Sequence, residues 1–394
     1  MNSPIWIPSN EKIKNSLMYK FMKECSEDFN SYFDLHSWSI NNLEDFWANF
    51  WRFSDIKYSK NYNSVLENPV MPGAKWFSGS ELNYAQNLLK GDPDQIAIIS
   101  IGENISPKTL TFKELNHRVS SVQKGLSKLG VKKGTIVAGF VPNCAETVIS
   151  MLAVSSLGGV WTSCSPDFGA NGVVDRFGQV NPHILITSNG YSYNGKLFKL
   201  EEKVNGVLES IDSIRHIVEI EYVDIKSNFN HDSIISFGDI LNDEQTQPIF
   251  EQLPFDHPLF IMYSSGTTGP PKSIVHSAGG TLIQHMKEHQ LHCDIKAGKS
   301  TMFWFTTCGW MMWNWLVSGL SSGSTIVLYD GSPSYPSLER LWKMIDDFNI
   351  THFGTSPKFL SACDSANILP YKFCEFGSLE SILSTGSPLV EEQF

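Results

Sequence analysis

The sequence lacks a C-x-x-C pair, a basic leader segment, an excess of basic charge and any internal repeat. Its seven cysteines (Cys25, Cys144, Cys164, Cys293, Cys308, Cys363 and Cys374) are scattered and odd in number. That argues against a disulfide framework or a zinc site and suits buried thiols in a reducing compartment. The first residues, Met1 to Pro8, hold neither a basic n-region nor a long apolar stretch, so no secretory signal is read there and a cytoplasmic (cytosolic) protein is expected. Acidic residues outnumber basic ones, 41 to 30, for a formal net charge of −11. Such a field repels nucleic-acid backbones and disfavours them as partners. Charge is missing altogether between Lys299 and Asp330, where six aromatic residues from Phe303 to Trp315 crowd together. About 20 apolar residues would cross a bilayer. This span is interrupted at Thr306-Thr307-Cys308-Gly309 and again at Ser321-Ser322-Gly323-Ser324-Thr325. A buried strand, helix and strand fit those breaks better, and no membrane span is expected.

What is present is an ordinary globular balance over 394 residues, 41% hydrophobic and 18% charged, enough for a large core. Residues 1 to about 90 read as mostly helical. Leu43, Phe46, Trp47, Phe50 and Trp51 keep helical spacing behind a candidate cap at Asn42. From about residue 109 strands and helices alternate. Thr111 and Glu114 form a capping box before a helix whose inner face is Leu115, Val119, Val122, Leu126 and Leu129, and Gly130 stops it. Strands are expected at 136–141, 183–187, 259–263, 273–275, 301–305 and 325–329. A helix is expected from 145 to 157, and another after Pro336 carrying Leu338, Leu341, Trp342, Ile345 and Phe348. The pattern predicts an α/β fold of layered sheets with flanking helices.

The sharpest signal is the run from Tyr263 to Lys272. Gly266 and Gly269 permit positive φ and let backbone amides approach an anion. Ser264, Ser265, Thr267 and Thr268 add hydroxyl donors, and Lys272 adds a cation. Pro271 precedes the lysine and a strand follows it, so this is not a Walker A loop, which needs Gly before Lys and a helix after. On composition alone, a polar hairpin tip is an equal reading. The order of residues decides, because it resembles the signature loop of the adenylate-forming superfamily, which includes acyl-CoA synthetases and firefly-type luciferases.

The resemblance extends from about residue 36 to the chain end. The segment from Trp76 to Asn87 is similar to the N-terminal signature of the acetyl- and acetoacetyl-CoA synthetase branch. Residues 165–169, 171–177, 306–315, 329–333, 352–356 and 383–389 bring it nearer the enzymes that activate acetoacetate, with acetate and other short-chain acids as the alternative. The likeness implies a helical N-terminal region over 1–90 and an AMP-binding domain over 91–394. It implies ATP, Mg2+ and coenzyme A as cosubstrates, a small carboxylic acid as the other partner, and no protein-held metal. Ser264, Ser265, Gly266, Thr267, Thr268, Gly269 and Lys272 would hold the β- and γ-phosphates. Gly386, Ser387 and Pro388 would lie against adenine, Trp310, Met311 and Met312 would line the acyl and thiol end, and Gly195 and Lys196 would meet the CoA nucleotide. Judged by residue type alone, the run from Trp310 to Trp315 is more often core than pocket, Gly386 to Pro388 an ordinary turn and Lys196 a surface lysine. Cys164 and Cys308 read as buried thiols, and His276, four residues after Lys272, reads either as facing the site or as a structural histidine.

The resemblance implies two half-reactions, in which the carboxylate forms an acyl-adenylate and the CoA thiol then displaces AMP. In the family, an aromatic-Thr-Glu motif, a ribose-binding acidic residue and a small lysine-bearing C-terminal domain follow the adenine segment. This sequence stops at Phe394. The chain alone is therefore expected to adenylate very poorly, and a non-catalytic nucleotide-binding remnant stands as the competing reading.

Overall fold

The computed structural model describes residues 4–25, 27–241, 246–264 and 269–394. The chain opens with four helices, α1 (Asn10–Asn15), α2 (Leu17–Glu24), α3 (Tyr32–Asn41) and α4 (Leu43–Phe53). Helix then gives way to a hairpin of β1 (Ser64–Glu67) and β2 (Lys75–Ser78), followed by β3 (Glu81–Leu82) and the short α5 (Tyr84–Leu88). The expected helical character of 1–90 thus holds to Phe53 and returns only in the short α5. Pro69, Pro72, Gly73 and Gly79 break any helical run between the two. Asn42 does stand at the N-terminus of α4, but its side chain makes no cap there; it donates to the Trp38 carbonyl at the end of α3. Trp51 of α4 stacks on Phe77 at 4.6 Å, and Phe77 meets Phe255 at 5.0 Å, which fastens this region to the rest of the chain.

The body begins with β4 (Ile96–Gly102), β5 (Ile105–Thr111), α6 (Phe112–Lys128), β6 (Ile136–Phe140), α7 (Ala145–Ser156), β7 (Val160–Cys164), α8 (Ala170–Phe177) and β8 (Ile184–Ser188). It continues with β9 (Gly190–Tyr193), β10 (Lys196–Lys199), α9 (Glu201–Ser210), β11 (His216–Ile220), β12 (Ile234–Ser236), α10 (Phe237–Ile240) and β13 (Leu253–Pro254). Then come β14 (Pro258–Tyr263), β15 (Ser273–Ser277), α11 (Ala278–Lys287), β16 (Thr301–Trp304) and α12 (Met311–Ser318). The last elements are β17 (Thr325–Asp330), α13 (Arg340–Asp347), β18 (His352–Thr355), α14 (Pro357–Ser365) and β19 (Ser381–Ser384). Among the described residues no helix is long and apolar enough to cross a membrane, and the uncharged span is β16, α12 and β17. The Thr111–Glu114 capping box forms as expected, and Gly130 ends that helix at φ +89°. Pro336 does not start a helix: α13 begins four residues later, at Arg340, because 337–339 form a turn in which Ser337 accepts the Arg340 amide. The first-turn proline belongs instead to α14, where Pro357 follows the capping hydroxyl of Ser356.

Two sheets organise the body, in strand orders β12-β11-β8-β6-β7-β14-β15 and β19-β18-β16-β17-β4-β5. Both are parallel except for one antiparallel edge strand each, β15 and β5. Alternate residues sort to opposite faces, as the two-residue period of a strand dictates. Val137, Ile184, Ile186 and Val218 enter the central core, while Ala138, Leu185 and Ile217 face α8 and α9. In the other sheet Ile98, Met302, Ile326 and Leu328 face the centre, and Ile99, Phe303, Val327 and Phe353 pack against α13 and α14. Between the sheets lies α7, buried on every face but Glu146, as a helix apolar all round requires. The result is five layers, helices–sheet–helices–sheet–helices.

Candidate active site

Parallel sheets bring ligands to the carboxyl ends of their strands. Here both sheets point those ends to one side, and side chains tie them together. Asn143, just after β6, is buried. Its backbone N–H donates to the Asp330 carboxylate at 3.0 Å and its amide to the carbonyls of Thr306 (3.4 Å) and Tyr329 (3.3 Å); it accepts from the Trp313 indole at 2.9 Å. Ser163 at the end of β7 donates to the Cys308 carbonyl at 2.6 Å. The loop leading into α12 is thereby held by groups from the opposite sheet.

On one flank of this edge stands the β14–β15 hairpin. Its ladder continues one pair beyond the strands: the Ser264 amide donates to the Lys272 carbonyl at 3.0 Å, and the Lys272 amide to the Ser264 hydroxyl at 3.3 Å. The strand–loop–strand arrangement read from the sequence is therefore present, with Ser264 half-buried and Gly269 and Lys272 exposed. Ser265, Gly266, Thr267 and Thr268 lie outside the described residues. Gln179, after α8, braces the return arm by donating to the Pro271 carbonyl at 2.7 Å and accepting from the Ser273 hydroxyl at 3.0 Å. Arg176 of α8 stands 5.9 Å from the Tyr263 ring and 4.7 Å from that of Phe168.

On the other flank are the ends of β16, β18 and β19. Gly386 has φ +103°, and a Cβ built on it would meet nothing within 4 Å; Ser387 and Pro388 are exposed beside it. The buried hydroxyls of Thr307, Thr355 and Ser384 have no hydrogen-bond partner among the described residues, and all three sit at this edge. A buried hydroxyl without a partner costs roughly 1–3 kcal/mol, so three at one sheet end mark a surface prepared for another molecule. The aromatic run divides: Trp313 and Trp315 are core, while Trp310 is 60% exposed and Met311 and Met312 form the accessible first turn of α12.

Gly195 and Lys196 lie elsewhere. The β9–β10 turn has Asn194 and Gly195 at positive φ, and both amides donate to the Glu103 carboxylate at 2.8 Å. The Ser332 amide joins the same carboxylate at 2.5 Å. Gly195 thus spends its amide inside the chain, and Lys196 is exposed. Glu103 follows β4, four strand spacings from β19, or about 19 Å.

Electrostatics separate the remaining candidates. Burial pushes the Cys164 thiol up to about 12 and the Cys308 thiol far above its usual range, so neither is a thiolate nucleophile. Burial lowers His276, which lies on β15 opposite Phe260. The Asp330 carboxyl is pushed up to about 7 by burial; hydrogen bonds from the Asn143 amide and the Tyr222 hydroxyl oppose the rise. Asn143, Gln179, Glu103 and the three unpartnered hydroxyls were not legible as site residues in the sequence. The one available cue was position: Asn143, Thr307, Thr355 and Ser384 stand at or just beyond strand ends that ligands favour.

The sequence profile of the AMP-binding enzyme family matches residues 86–393, and that of the acetyl-coenzyme A synthetase N-terminus matches 32–88. The chain belongs to the AMP-binding enzyme family. It is 42% identical to the acetoacetyl-CoA synthetase of Gallus gallus, over 99% of this chain and 60% of that protein. It is 40% identical to the acetoacetyl-coenzyme A synthetase of Rhizobium meliloti (99% and 61%), and 37% identical to a malonamoyl-CoA synthetase of Penicillium aethiopicum (97% and 57%). The solved acetoacetyl-CoA synthetase from Streptomyces lividans superposes with a TM-score of 0.95 at 38% identity, covering 100% of this chain and 61% of that one. The chain spans about 60% of the length of these relatives.

Proposed function

We propose that this chain forms the nucleotide- and acyl-binding body of an acid–thiol ligase that converts acetoacetate, ATP and CoA to acetoacetyl-CoA, AMP and diphosphate. The observation that carries the reading is the Ser264–Lys272 closure, which holds a lysine opposite the carboxyl end of β14. The names of the acetoacetyl-CoA synthetase relatives support acetoacetate; the malonamoyl-CoA synthetase, another short functionalised acid's enzyme by name, keeps related short-chain acids as the neighbouring reading. A cytosolic setting suits seven free thiols.

In this reading the carboxylate oxygen attacks the α-phosphorus of ATP and diphosphate leaves. Lys272 lies alongside the β- and γ-phosphates and offsets charge gathering on the leaving group. The hairpin residues from Ser264 to Gly269 supply hydroxyl and amide donors. Gly386 to Pro388, flat and without a neighbouring side chain at Gly386, accept adenine, and Ser384 and Thr355 offer hydroxyls to the nucleotide. The CoA thiol then attacks the acyl carbonyl and AMP leaves. Trp310, Met311 and Met312 keep water from the mixed anhydride, and Asn143 holds their loop in place. Lys196 meets the outer, nucleotide end of CoA. Among the described residues no group of three or more His, Cys, Asp or Glu side chains could hold a metal; magnesium would arrive with the ATP phosphates and offset their charge.

The test is calorimetric titration of the chain with ATP, alongside pyrophosphate exchange with acetoacetate and with acetate. Lys272→Ala is expected to weaken ATP binding about tenfold with an unchanged melting temperature, as loss of a charge-assisted contact implies. ATP binding without exchange would leave a nucleotide-binding body alone; no ATP binding would sink the reading.

A further inference from the structure

A second lysine stands in a different setting from Lys272. Lys90 follows α5 at the join between the N-terminal region and the body. Its side chain is only 18% exposed, yet Lys90 lines an open cavity of about 1040 Å³ together with Leu17, Phe53, Ile295 and Ser321. The amine donates to the Asp55 carbonyl at 2.5 Å and lies 3.9 Å from the Asp55 carboxylate. That carboxylate is 74% exposed and shared with Lys57 at 3.2 Å, so it is a weak counter-charge. The other charged groups facing the cavity nearly cancel: Lys20, Lys296 and Lys299 against Glu24, Asp92 and Asp94, with Lys296 already paired to Asp294 at 2.9 Å. Lys90 is therefore a largely desolvated amine with reagent-sized access and no strong ion pair.

We propose that Lys90 is an acylation site, modified by activated acyl donors of the acyl phosphate or acyl thioester class. The free amine attacks the donor carbonyl carbon; a C–N bond forms, the C–O or C–S bond breaks, phosphate or thiolate leaves with the electron pair, and the amine's proton passes to solvent. The product is a neutral amide, which ends the attraction to Asp55 and leaves an acyl group in the cavity. Desolvation lowers the Lys90 amine to about 8, with Asp55 opposing the fall and Lys57 adding to it. At pH 7.5 such a group is about one-quarter free amine, against roughly one part in a thousand for an exposed lysine titrating near 10.4. Lower basicity weakens the nucleophile by roughly tenfold, taking the dependence measured for thiolates. The net advantage is about twentyfold at pH 7.5, and it disappears near pH 9.5, where exposed lysines also deprotonate.

The experiment treats the chain with acetyl phosphate at pH 7.5 and 9.5 and follows each lysine by peptide mass spectrometry after Glu-C digestion. Lys90 is expected to acetylate about twentyfold faster than the exposed lysines at pH 7.5 and at a similar rate at pH 9.5. Lys90→Arg, which keeps the charge and the contact to Asp55, is expected to lose the fast phase of incorporation. Slower acetylation of Lys90 than of exposed lysines at pH 7.5, an advantage that does not change with pH, or a fast phase that persists in K90R would each overturn the assignment. Because the probe contains neither nucleotide nor CoA, the result is independent of the ligase reading.

Discussion

The two ends of the six-stranded sheet treat their polar groups in opposite ways. At the β4–β17 end, the amides of Asn194, Gly195 and Ser332 all close on Glu103, so a concavity of N–H groups suited to an anion is filled by the chain's own carboxylate. At the β18–β19 end, the hydroxyls of Thr307, Thr355 and Ser384 are buried and unpartnered among the described residues, and Gly386 faces open space. The first end carries stability, and in the proposed reading the second carries recognition. A satisfied buried polar group rigidifies, whereas an unsatisfied one costs folding free energy that only a ligand can return.

Breaking the closed end has the largest expected effect. Glu103→Ala strands three amides that held a charged acceptor and is expected to cost about 4 kcal/mol, read as a fall in the urea midpoint at constant m. Beside it, Asp330 titrates near 7 in the folded chain against about 3.9 unfolded. The folded state then binds more protons between those values, so this group's contribution to stability falls as pH rises from about 4 to 7 and is level above. The full window is worth roughly 4 kcal/mol. Asp330→Asn is expected to remove that slope from stability measured by denaturant titration across pH 4 to 8; a slope identical to that of the parent would refute the burial argument.

The open end should respond the other way. Thr355→Val and Ser384→Ala each remove an orphan hydroxyl, so the unliganded chain is expected to gain up to about 1 kcal/mol while ATP affinity drops severalfold. Thermal shift with and without ATP reads both quantities, and a variant losing stability in the free state would show that the hydroxyl was paired after all. The smallest effect belongs to Lys196→Ala. An exposed lysine beside an already filled turn is expected to change CoA affinity by about threefold or less, in titrations that weaken further with salt.

Much of this was legible in the sequence because it is local. The capping box of Thr111 and Glu114, the apolar face from Leu115 to Leu126 and the hairpin around residues 264–272 depend on residues a few positions apart, and they formed where the spacing placed them. Pro336 shows the limit of local reading. A proline before an apolar repeat signals a helix start, yet the turn at 337–339 delays α13 to Arg340. Asn42 shows it again, since its amide chose the carbonyl of the preceding helix.

By itself the sequence determined the alternation of strands and helices and the likeness to adenylate-forming enzymes, because periodicity, capping and motif order are written in neighbouring residues. Only the tertiary structure decided which aromatics are core and which are exposed, that Glu103 fills the Gly195 turn, and that Asn143 joins the two sheets. Those outcomes rest on contacts between residues about 90 to 230 positions apart, whose partners are chosen by how the sheets stack.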